Sequence, residues 1–194
     1  MEQEVVRENV GSQDQFHAAF GGMNIFTFSE AGVGVRPLLI SAERRALFEE
    51  HLMLFYTGIA RYATLVVQEQ LEKTGRFEND LWLHRMYEMV FEAEEIFLRA
   101  ADREMVPLLG KLMDQSWGLK KRLSSQVSTT EIDRCYETAL ACGAYGGKLC
   151  GAGSGGFLAL LVPSEARSRV RNALGELTEV PVTFNSEGSK LICT

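Results

Sequence analysis

The chain is predicted to be an α+β protein, and three features of its 194 residues lead to that prediction. Two or three short strands come first, amphipathic helices dominate the middle, and a strand, a helix and a strand close the chain. Strands and helices that are segregated along a chain in this way are typical of α+β folds. No linker, internal repeat or low-complexity segment interrupts this order.

The first strands are predicted from runs of apolar and aromatic residues. Segments 23–28 (MNIFTF), 33–40 (VGVRPLLI) and 51–58 (HLMLFYTG) have the composition of half-buried strands. The charged segment 41–50 (SAERRALFEE) is predicted to be a helix that leads into the third strand. Before them, the glycine-bounded segment 10–22 is predicted to contain a loop and a short helix.

The middle helices are predicted from apolar residues that recur every three to four positions. This period favours helices at 59–73 and 81–101, and a further helix that carries the stripe from Met105 to Leu123. Pro107 falls in the first turn of that last helix, where a missing N–H group is tolerated. Such stripes are usually core faces, and we interpret these three in that way.

The C-terminal elements surround a segment that is rich in glycine. Ser128 and Glu131 have the S-x-x-E spacing of a capping box, which predicts the start of a helix over 131–143. The remaining predicted elements are a strand at 157–162, a helix at 163–177 and strands at 180–185 and 189–192.

Composition limits the functional class. With 46% hydrophobic and 24% charged residues the chain resembles ordinary globular proteins, and a formal net charge of -6 argues against nucleic-acid binding. No apolar stretch approaches the roughly 20 residues that span a bilayer, and the acidic N-terminus is unlike a signal peptide. The four cysteines lack C-x-x-C spacing and the three histidines are scattered, which argues against a zinc site. We expect a cytoplasmic protein with reduced thiols, no metal ligands, and neither nucleic acid nor membrane as partner.

The glycine-rich loop at 146–156 (GGKLCGAGSGG) matches neither common nucleotide fingerprint. Dinucleotide-binding loops follow a strand and open a helix, whereas this loop follows a predicted helix and precedes a predicted strand. The P-loop pattern also fails, because Lys148 is followed by Leu149 rather than by serine or threonine. The glycines need another reason, such as tight turning or close approach of a ligand.

Two stretches together resemble the GHMP kinase superfamily. They are VGSQDQFHAAFGGMNIFTF at 10–28 and GAYGGKLCGAGSGGFLALLVP at 143–163. LMLFYTGIARYA at 52–63 and SWGLKKRLSSQVSTTEID at 116–133 are similar to middle segments of the sugar-1-kinase branch, which is typified by heptose 7-phosphate kinase. The resemblance implies a remnant of the N-terminal catalytic domain at 1–40. It implies at 41–194 a C-terminal domain whose helices pack on a small antiparallel, ferredoxin-like sheet.

The resemblance also implies an activity. Such kinases use ATP and Mg²⁺ to phosphorylate a sugar, here the anomeric hydroxyl of a heptose 7-phosphate or a similar sugar phosphate. Their Pro-x-x-Gly-Leu-Gly-Ser-Ser-like loop, which wraps the ATP phosphates, does not occur in this chain. We therefore expect the C-terminal portion of a kinase that is inactive alone. The alternatives are a non-catalytic ligand-binding or assembly module, and one half of a split kinase completed by a separate N-terminal polypeptide.

The resemblance assigns Asp14 as the catalytic aspartate beside the sugar hydroxyl, acting as general base or electrostatic orienter. Position alone favours Asp14 as an ordinary cap of the short helix that follows it, and only the resemblance favours the catalytic role. Ser12, Gln13 and Gln15 flank it and are candidates for hydrogen bonds to the sugar.

Further candidates lie at Thr57 and Arg61 and in the glycine loop. Arg61 is the candidate for the distal phosphate of the sugar, since a guanidinium can donate to two oxygens at once, with a surface ion pair as the alternative. Lys148, beside the glycine loop, is a second candidate to contact that phosphate, and it is equally explained as a solvated residue flanking the loop. The loop residues expected near substrate or nucleotide phosphates are Gly151, Gly153, Ser154, Gly155 and Gly156. Ser154 stands where these kinases usually have glycine, so a positive φ there would strain the loop.

Overall fold

The computed structural model describes residues 11–59, 63–184 and 187–190. Its helices are α1 (Gln13–Phe20), α2 (Ala42–His51), α3 (Ala63–Gly75), α4 (Asp80–Arg99), α5 (Asp102–Leu123), α6 (Thr130–Ala141) and α7 (Arg167–Ala173). Its strands are β1 (Asn24–Ser29), β2 (Gly32–Pro37), β3 (Leu52–Tyr56), β4 (Gly146–Leu149), β5 (Phe157–Leu161) and β6 (Thr178–Val180).

Four strands form one antiparallel sheet in the order β4-β5-β3-β6. Along the chain they follow the pattern β3, four helices, β4, β5, α7, β6. This is the β-α-β-β-α-β connection of ferredoxin-like folds, with a larger helical insertion after the first strand. The predicted α+β class, with helices on a small antiparallel ferredoxin-like sheet, is therefore confirmed.

The main core lies between this sheet and helices α5, α6 and α7. Phe55 and Leu158 of the two central strands pack with Trp117 of α5 and Val170 of α7, and each is at most 1% exposed. A second cluster joins α4 and α5 to β5 and α2. Phe97 and Leu109 pack there with Leu161 of β5 and Phe48 of α2. The helical stripes that were interpreted as core faces do supply buried residues, among them Met89, Phe97, Met105, Leu109 and Leu123.

Strand β4 is a correction to the sequence analysis, which assigned residues 146–149 to a loop. Glycine weakens strand patterns because it offers no side chain to pack. Here the glycines allow close packing instead. Gly146 lies against the backbone of Gly110 in α5, and a side chain on Gly147 would overlap the carbonyl of Ala159 in β5. The chain therefore brings a helix and two strands together at backbone contact.

The start of α6 also differs from prediction by one residue. Its N-cap is Thr129, whose hydroxyl accepts a hydrogen bond from the amide of Ile132. The hydroxyl of Ser128 donates instead to Asp133, with an oxygen–oxygen distance of 2.9 Å. Both hydroxyls stabilise the first turn, but the predicted pairing of Ser128 with Glu131 is not the one that caps it.

The predicted strand at 180–185 is shorter and earlier than expected. β6 spans Thr178–Val180 and ends before Pro181, because proline has no N–H to donate to a neighbouring strand. Residues 181–184 and 187–190 are not in strands, and the end of the strand predicted at 189–192 lies outside the described residues.

Strands β1 and β2 form a separate antiparallel hairpin, which packs with α1. Four aromatic rings gather there, from Phe16 and Phe20 of α1 and from Phe26 and Phe28 of β1. Phe20 and Phe28 are nevertheless 52% and 50% exposed. The hairpin is outside the four-stranded sheet, and the predicted domain division at residue 40 stays a prediction.

Candidate active site

Helix α1 presents the sequence QDQ at its first turn. Asp14 is the second residue of the helix, Ser12 is the N-cap, and the Ser12 side chain makes no capping hydrogen bond. Gln13, Asp14 and Gln15 are exposed. A carboxylate in the first turn is favoured by the helix dipole, but Asp14 lies inside the helix rather than at the capping position.

The other end of α1 is fastened to the C-terminal tail. Gly21 closes the helix with φ of +64°, and its amide donates to the carbonyl of His17 at 2.8 Å. The amide of Ser189 donates to the carbonyl of Ala19 at 3.0 Å. Gly188 also lies against the backbone of α1, closely enough that a side chain there would overlap it. The tail therefore fixes the helix that carries Asp14.

The inner half of the glycine loop is committed to packing within the protein. A side chain on Gly153 would lie 2.7 Å from the carbonyl oxygen of Val127, and one on Gly155 would overlap the carbonyl of Ile59. The amide of Ser154 donates to that same Val127 carbonyl at 2.9 Å, and the amide of Gly156 donates to Ile59 at 3.1 Å. These glycines are required by the close approach of other backbone segments.

Ser154 is buried and has φ of +63°. This is the positive φ that was expected to strain the loop at a residue other than glycine. The Ser154 hydroxyl donates to the carbonyl of Gln126. The side chain thus gains a hydrogen bond that partly offsets the cost of the left-handed backbone.

The outer half of the loop is open. Gly151 has φ of +77°, and a side chain there would meet no heavy atom within 4 Å. Within the described part of the chain, the amides of Gly151 and Ala152 donate to no protein acceptor. Consecutive amides in turns of this kind can bind anions. The carbonyl of Gly151 accepts a hydrogen bond from Nζ of Lys120, near the end of α5.

Lys120, which is bonded to Gly151 at this outer half, is influenced by charged groups from two other parts of the chain. The pKa of Lys120 is lowered to about 8, first by burial and then by the nearby charge of Lys148, while Cys150 and Asp14 act in the opposite direction. Burial raises the pKa of the Cys150 thiol, the two lysines counteract that shift, and Asp14 adds to it. Asp14 is therefore electrostatically coupled to the glycine loop, although some 130 residues separate them in sequence.

The sequence analysis missed Lys120 and Cys150 as members of this cluster. The available signal was weak, because Lys120 and Lys121 at the end of a helix are typical of a solvated basic turn. Lys121 does behave so, since its Nζ pairs with Asp133 at 3.0 Å. One residue earlier, Lys120 turns to the loop instead.

Thr57 contacts the loop directly. Its hydroxyl donates to the carbonyl of Gly156 at 2.9 Å and accepts from the amide of Gly156 at 3.1 Å. The hydroxyl has a single hydrogen, so its donor is already used within the protein. The observed role of Thr57 is to join the end of β3 to the loop, and its role in substrate binding stays a prediction. Arg61 lies outside the described residues.

A cavity of about 500 Å³ adjoins this cluster and is shared by the hairpin, α4 and α5. Its lining is mostly apolar, and Lys148, His17 and Ser116 are among its polar members. Lys148 is part of the cavity wall and lies three residues before Gly151, so the cavity is next to the glycine loop. The apolar lining includes Met23, Ile25, Met86, Met89, Phe97 and Met113.

The described residues contain neither a metal-binding cluster nor a membrane-spanning helix. They contain no group of three or more histidine, cysteine, aspartate or glutamate side chains that could hold a metal ion. They also contain no helix that is both long and apolar enough to cross a membrane.

Comparison with known families and sequences gives two matches of interest. The family model of the C-terminal region of GHMP kinases matches residues 97–179. The D-glycero-alpha-D-manno-heptose 7-phosphate kinase of Campylobacter jejuni is 33% identical over 176 residues, which are 88% of this chain and 51% of that kinase. The chain thus spans about half the length of this relative.

Solved structures show the same fold. The galactokinase of Lactococcus lactis, solved with galactose, gives a TM-score of 0.69 at 18% identity, covering 97% of this chain and 58% of the galactokinase. A D-glycero-D-manno-heptose 1-phosphate kinase from Bacteroides thetaiotaomicron gives 0.60 at 22% identity, covering 99% and 53%. At these identities the likeness concerns the fold alone.

Proposed function

Because the chain carries the C-terminal domain of the GHMP kinases, we propose that it is the C-terminal portion of an ATP-dependent sugar kinase. Its substrate would be a heptose 7-phosphate or a similar sugar phosphate, phosphorylated on the anomeric hydroxyl. The identity to a heptose 7-phosphate kinase over 88% of the chain supports the substrate class. The observation that carries the proposal is a single cavity lined both by His17 of α1, the helix that carries Asp14, and by Lys148, three residues before Gly151.

In this proposal Asp14 acts on the attacking hydroxyl. Phosphoryl transfer requires an in-line arrangement, neutralisation of charge and a group that accepts the hydroxyl proton. As the sugar oxygen forms its bond to the γ-phosphorus, the bond from that phosphorus to the β–γ bridging oxygen breaks and ADP leaves with the electron pair. The proton of the hydroxyl passes to the carboxylate of Asp14. Ser12, Gln13 and Gln15 would position the sugar by hydrogen bonds, and Arg61 would approach its distal phosphate.

The outer half of the glycine loop would face the phosphates. Its amides at Gly151 and Ala152, which donate to no acceptor among the described residues, are suited to oxygen atoms that carry negative charge. The inner half, from Gly153 to Gly156, would hold that surface in place through its bonds to Val127 and Ile59. Mg²⁺, which the family resemblance implies, would neutralise charge on the ATP phosphates, and the described residues contain no group of three or more histidine, cysteine, aspartate or glutamate side chains that could hold it.

The proposal is tested by ADP release from Mg·ATP with D-glycero-D-manno-heptose 7-phosphate, using the protein produced from the complete reading frame. We expect turnover, and we expect Asp14→Asn to lower kcat by about 100-fold or more because the proton acceptor is lost. Asp80→Asn is the matched control, since Asp80 is also an exposed acid in the first turn of a helix. Full activity of Asp14→Asn would refute the assigned role.

The 194-residue chain assayed alone separates the alternatives. We expect it to bind the sugar phosphate without turning over ATP. Strong turnover that Asp14→Asn abolishes would contradict the expectation of inactivity. Binding without any turnover, even from the complete reading frame or after addition of a separate N-terminal polypeptide, would favour a non-catalytic ligand-binding module.

A further inference from the structure

We propose that Lys120 and Lys148, here named the lysine pair, bind the phosphate monoester that the sugar substrate already carries. The inference rests on the proposed function and deepens it, because it names residues that distinguish a phosphorylated sugar from an unphosphorylated one. It does not depend on Arg61.

The first support is that both ammonium groups are available. Within the described residues neither lysine forms an ion pair with a carboxylate, whereas Lys73, Lys121 and Lys190 each do. Lys120 uses one of its three N–H donors on the carbonyl of Gly151, so two remain. That bond also directs the ammonium toward the open half of the loop.

The second support is that the pair is half-buried and self-repelling. Both lysines are of intermediate exposure, and the charge of Lys148 disfavours the charged form of Lys120. Two like charges removed from water are costly unless an anion joins them. A phosphate monoester carries nearly two negative charges at neutral pH and three acceptor oxygens, so it would satisfy both ammonium groups at once.

The third support is the position of Asp14. Asp14 lies on α1, whose His17 lines the same cavity as Lys148, and among the described contacts it forms no ion pair with either lysine. A sugar phosphate needs this arrangement, because its reacting hydroxyl and its phosphate lie at different ends of one molecule. The carboxylate would meet the hydroxyl while the lysine pair meets the phosphate. Among the described residues the amides of Gly151 and Ala152 have no protein acceptor, and they lie next to the Gly151 carbonyl that accepts from Lys120, so they would supply further donors.

The test is calorimetric titration of the full-length protein with heptose 7-phosphate, with unphosphorylated heptose and with ADP. The variants are Lys120→Met and Lys148→Met, which keep the aliphatic stem, and Lys120→Arg, which keeps the charge. Lys111→Met is the matched control, because Lys111 is an exposed lysine on the same helix. Melting temperatures establish that each variant is folded.

We expect either methionine variant to raise the Kd for heptose 7-phosphate by about 10- to 100-fold, the usual range for a lost charge-assisted hydrogen bond. The Kd values for heptose and ADP should stay within about twofold of wild type, and Lys120→Arg should recover most of the lost affinity. An unchanged Kd for heptose 7-phosphate would overturn the proposal. So would an equal loss for unphosphorylated heptose, or a loss confined to ADP, which would assign the pair to the nucleotide.

Proton uptake on binding is a second measurement, and it does not depend on the value of Kd. Because the pKa of Lys120 is about 8 in the free protein, bound phosphate should draw a fraction of a proton onto it at pH 8. Titration in two buffers of different ionisation enthalpy would reveal this uptake, and Lys120→Met should abolish it. The same uptake in Lys120→Met would count against the proposal.

The two proposals fail separately. Phosphate-dependent binding that requires the lysine pair, without ADP release, would leave the site standing and refute the kinase. ADP release from the phosphorylated sugar with normal KM in both methionine variants would leave the kinase standing and refute the site.

Discussion

The amide of Ser154 donates to the carbonyl of Val127 at 2.9 Å, while Ser154 itself has a left-handed backbone with φ of +63°. The bond fastens the glycine loop to the segment between α5 and α6. A residue with a side chain therefore occupies a conformation that favours glycine. The hydroxyl of Ser154 offsets part of this cost, because it donates to the carbonyl of Gln126 in the same segment between α5 and α6.

This arrangement predicts different outcomes for two substitutions of Ser154. Ser154→Gly should relieve about 1 kcal/mol of backbone strain and lose a hydrogen bond of similar worth, so stability should change little. Ser154→Ala keeps the strain and loses the bond, and we expect it to destabilise the protein by about 1–3 kcal/mol. Urea unfolding monitored by circular dichroism gives both values. Equal destabilisation by glycine and alanine would contradict the assignment of strain.

Strong periodicity made most of the fold predictable. The buried residues of α4 and α5, such as Phe97, Met105 and Leu109, lie on the stripes that the sequence displays. The antiparallel ferredoxin-like sheet followed from a family resemblance carried by several motifs in order. Strand β4 was missed because Gly146 and Gly147 pack against other backbone segments and have no room for side chains. A strand that begins with two glycines has no apolar pattern to recognise.

The candidate site was only partly predictable, for a different reason. Asp14 and the glycine loop are recognisable as motifs, but Lys120 is adjacent to Lys121 and has the same chemistry. Only the packing of α5 on β4 decides that one lysine pairs with Asp133 while the other donates to Gly151. Local sequence does not encode that choice.

Helix α5 contains two glycines that should respond oppositely to alanine. A side chain on Gly110 would collide with Cβ of Tyr145, and it would lie 3.3 Å from the amide nitrogen of Gly146. Gly118 has open space around it. We expect Gly118→Ala to stabilise the protein by up to about 1 kcal/mol through helix propensity, and Gly110→Ala to destabilise it by about 1–3 kcal/mol through overpacking. Melting temperatures of the two variants check this, and stabilisation by Gly110→Ala would contradict the close packing of α5 on β4.

Stability at low pH should depend on Glu69 of α3. The pKa of this carboxyl is lowered from 4.5 to about 2, chiefly by hydrogen bonding from Lys73 and then by Ser124 and Ser125. The folded protein therefore holds the ionised form more tightly than the unfolded chain does. The resulting stability is present above about pH 4.5 and is lost as the pH falls toward 2.

Replacement of that carboxyl should flatten the acid limb of the stability profile. We expect Glu69→Gln to be less stable than wild type at pH 7 and to lose less stability between pH 5 and about 2.5. Glu72→Gln, an exposed glutamate on the same helix, serves as the control and should follow wild type. The measurement is urea unfolding across this pH range. Parallel pH profiles for wild type and Glu69→Gln would be evidence against the ionised contact.

The aromatic hairpin should make the isolated chain associate with itself. Phe20 and Phe28 are each about half exposed on the same cluster of rings, and adjoining exposed rings form an apolar patch that water disfavours. Multi-angle light scattering of the 194-residue chain should show oligomers, and the double variant Phe20→Ser with Phe28→Ser should shift the population to monomer. Leu81→Ser, which removes an even more exposed apolar side chain from α4, should leave the oligomers unchanged. A wild-type chain that stays monomeric at about 100 μM would refute the prediction, since burial of both rings would be worth enough to drive association at that concentration.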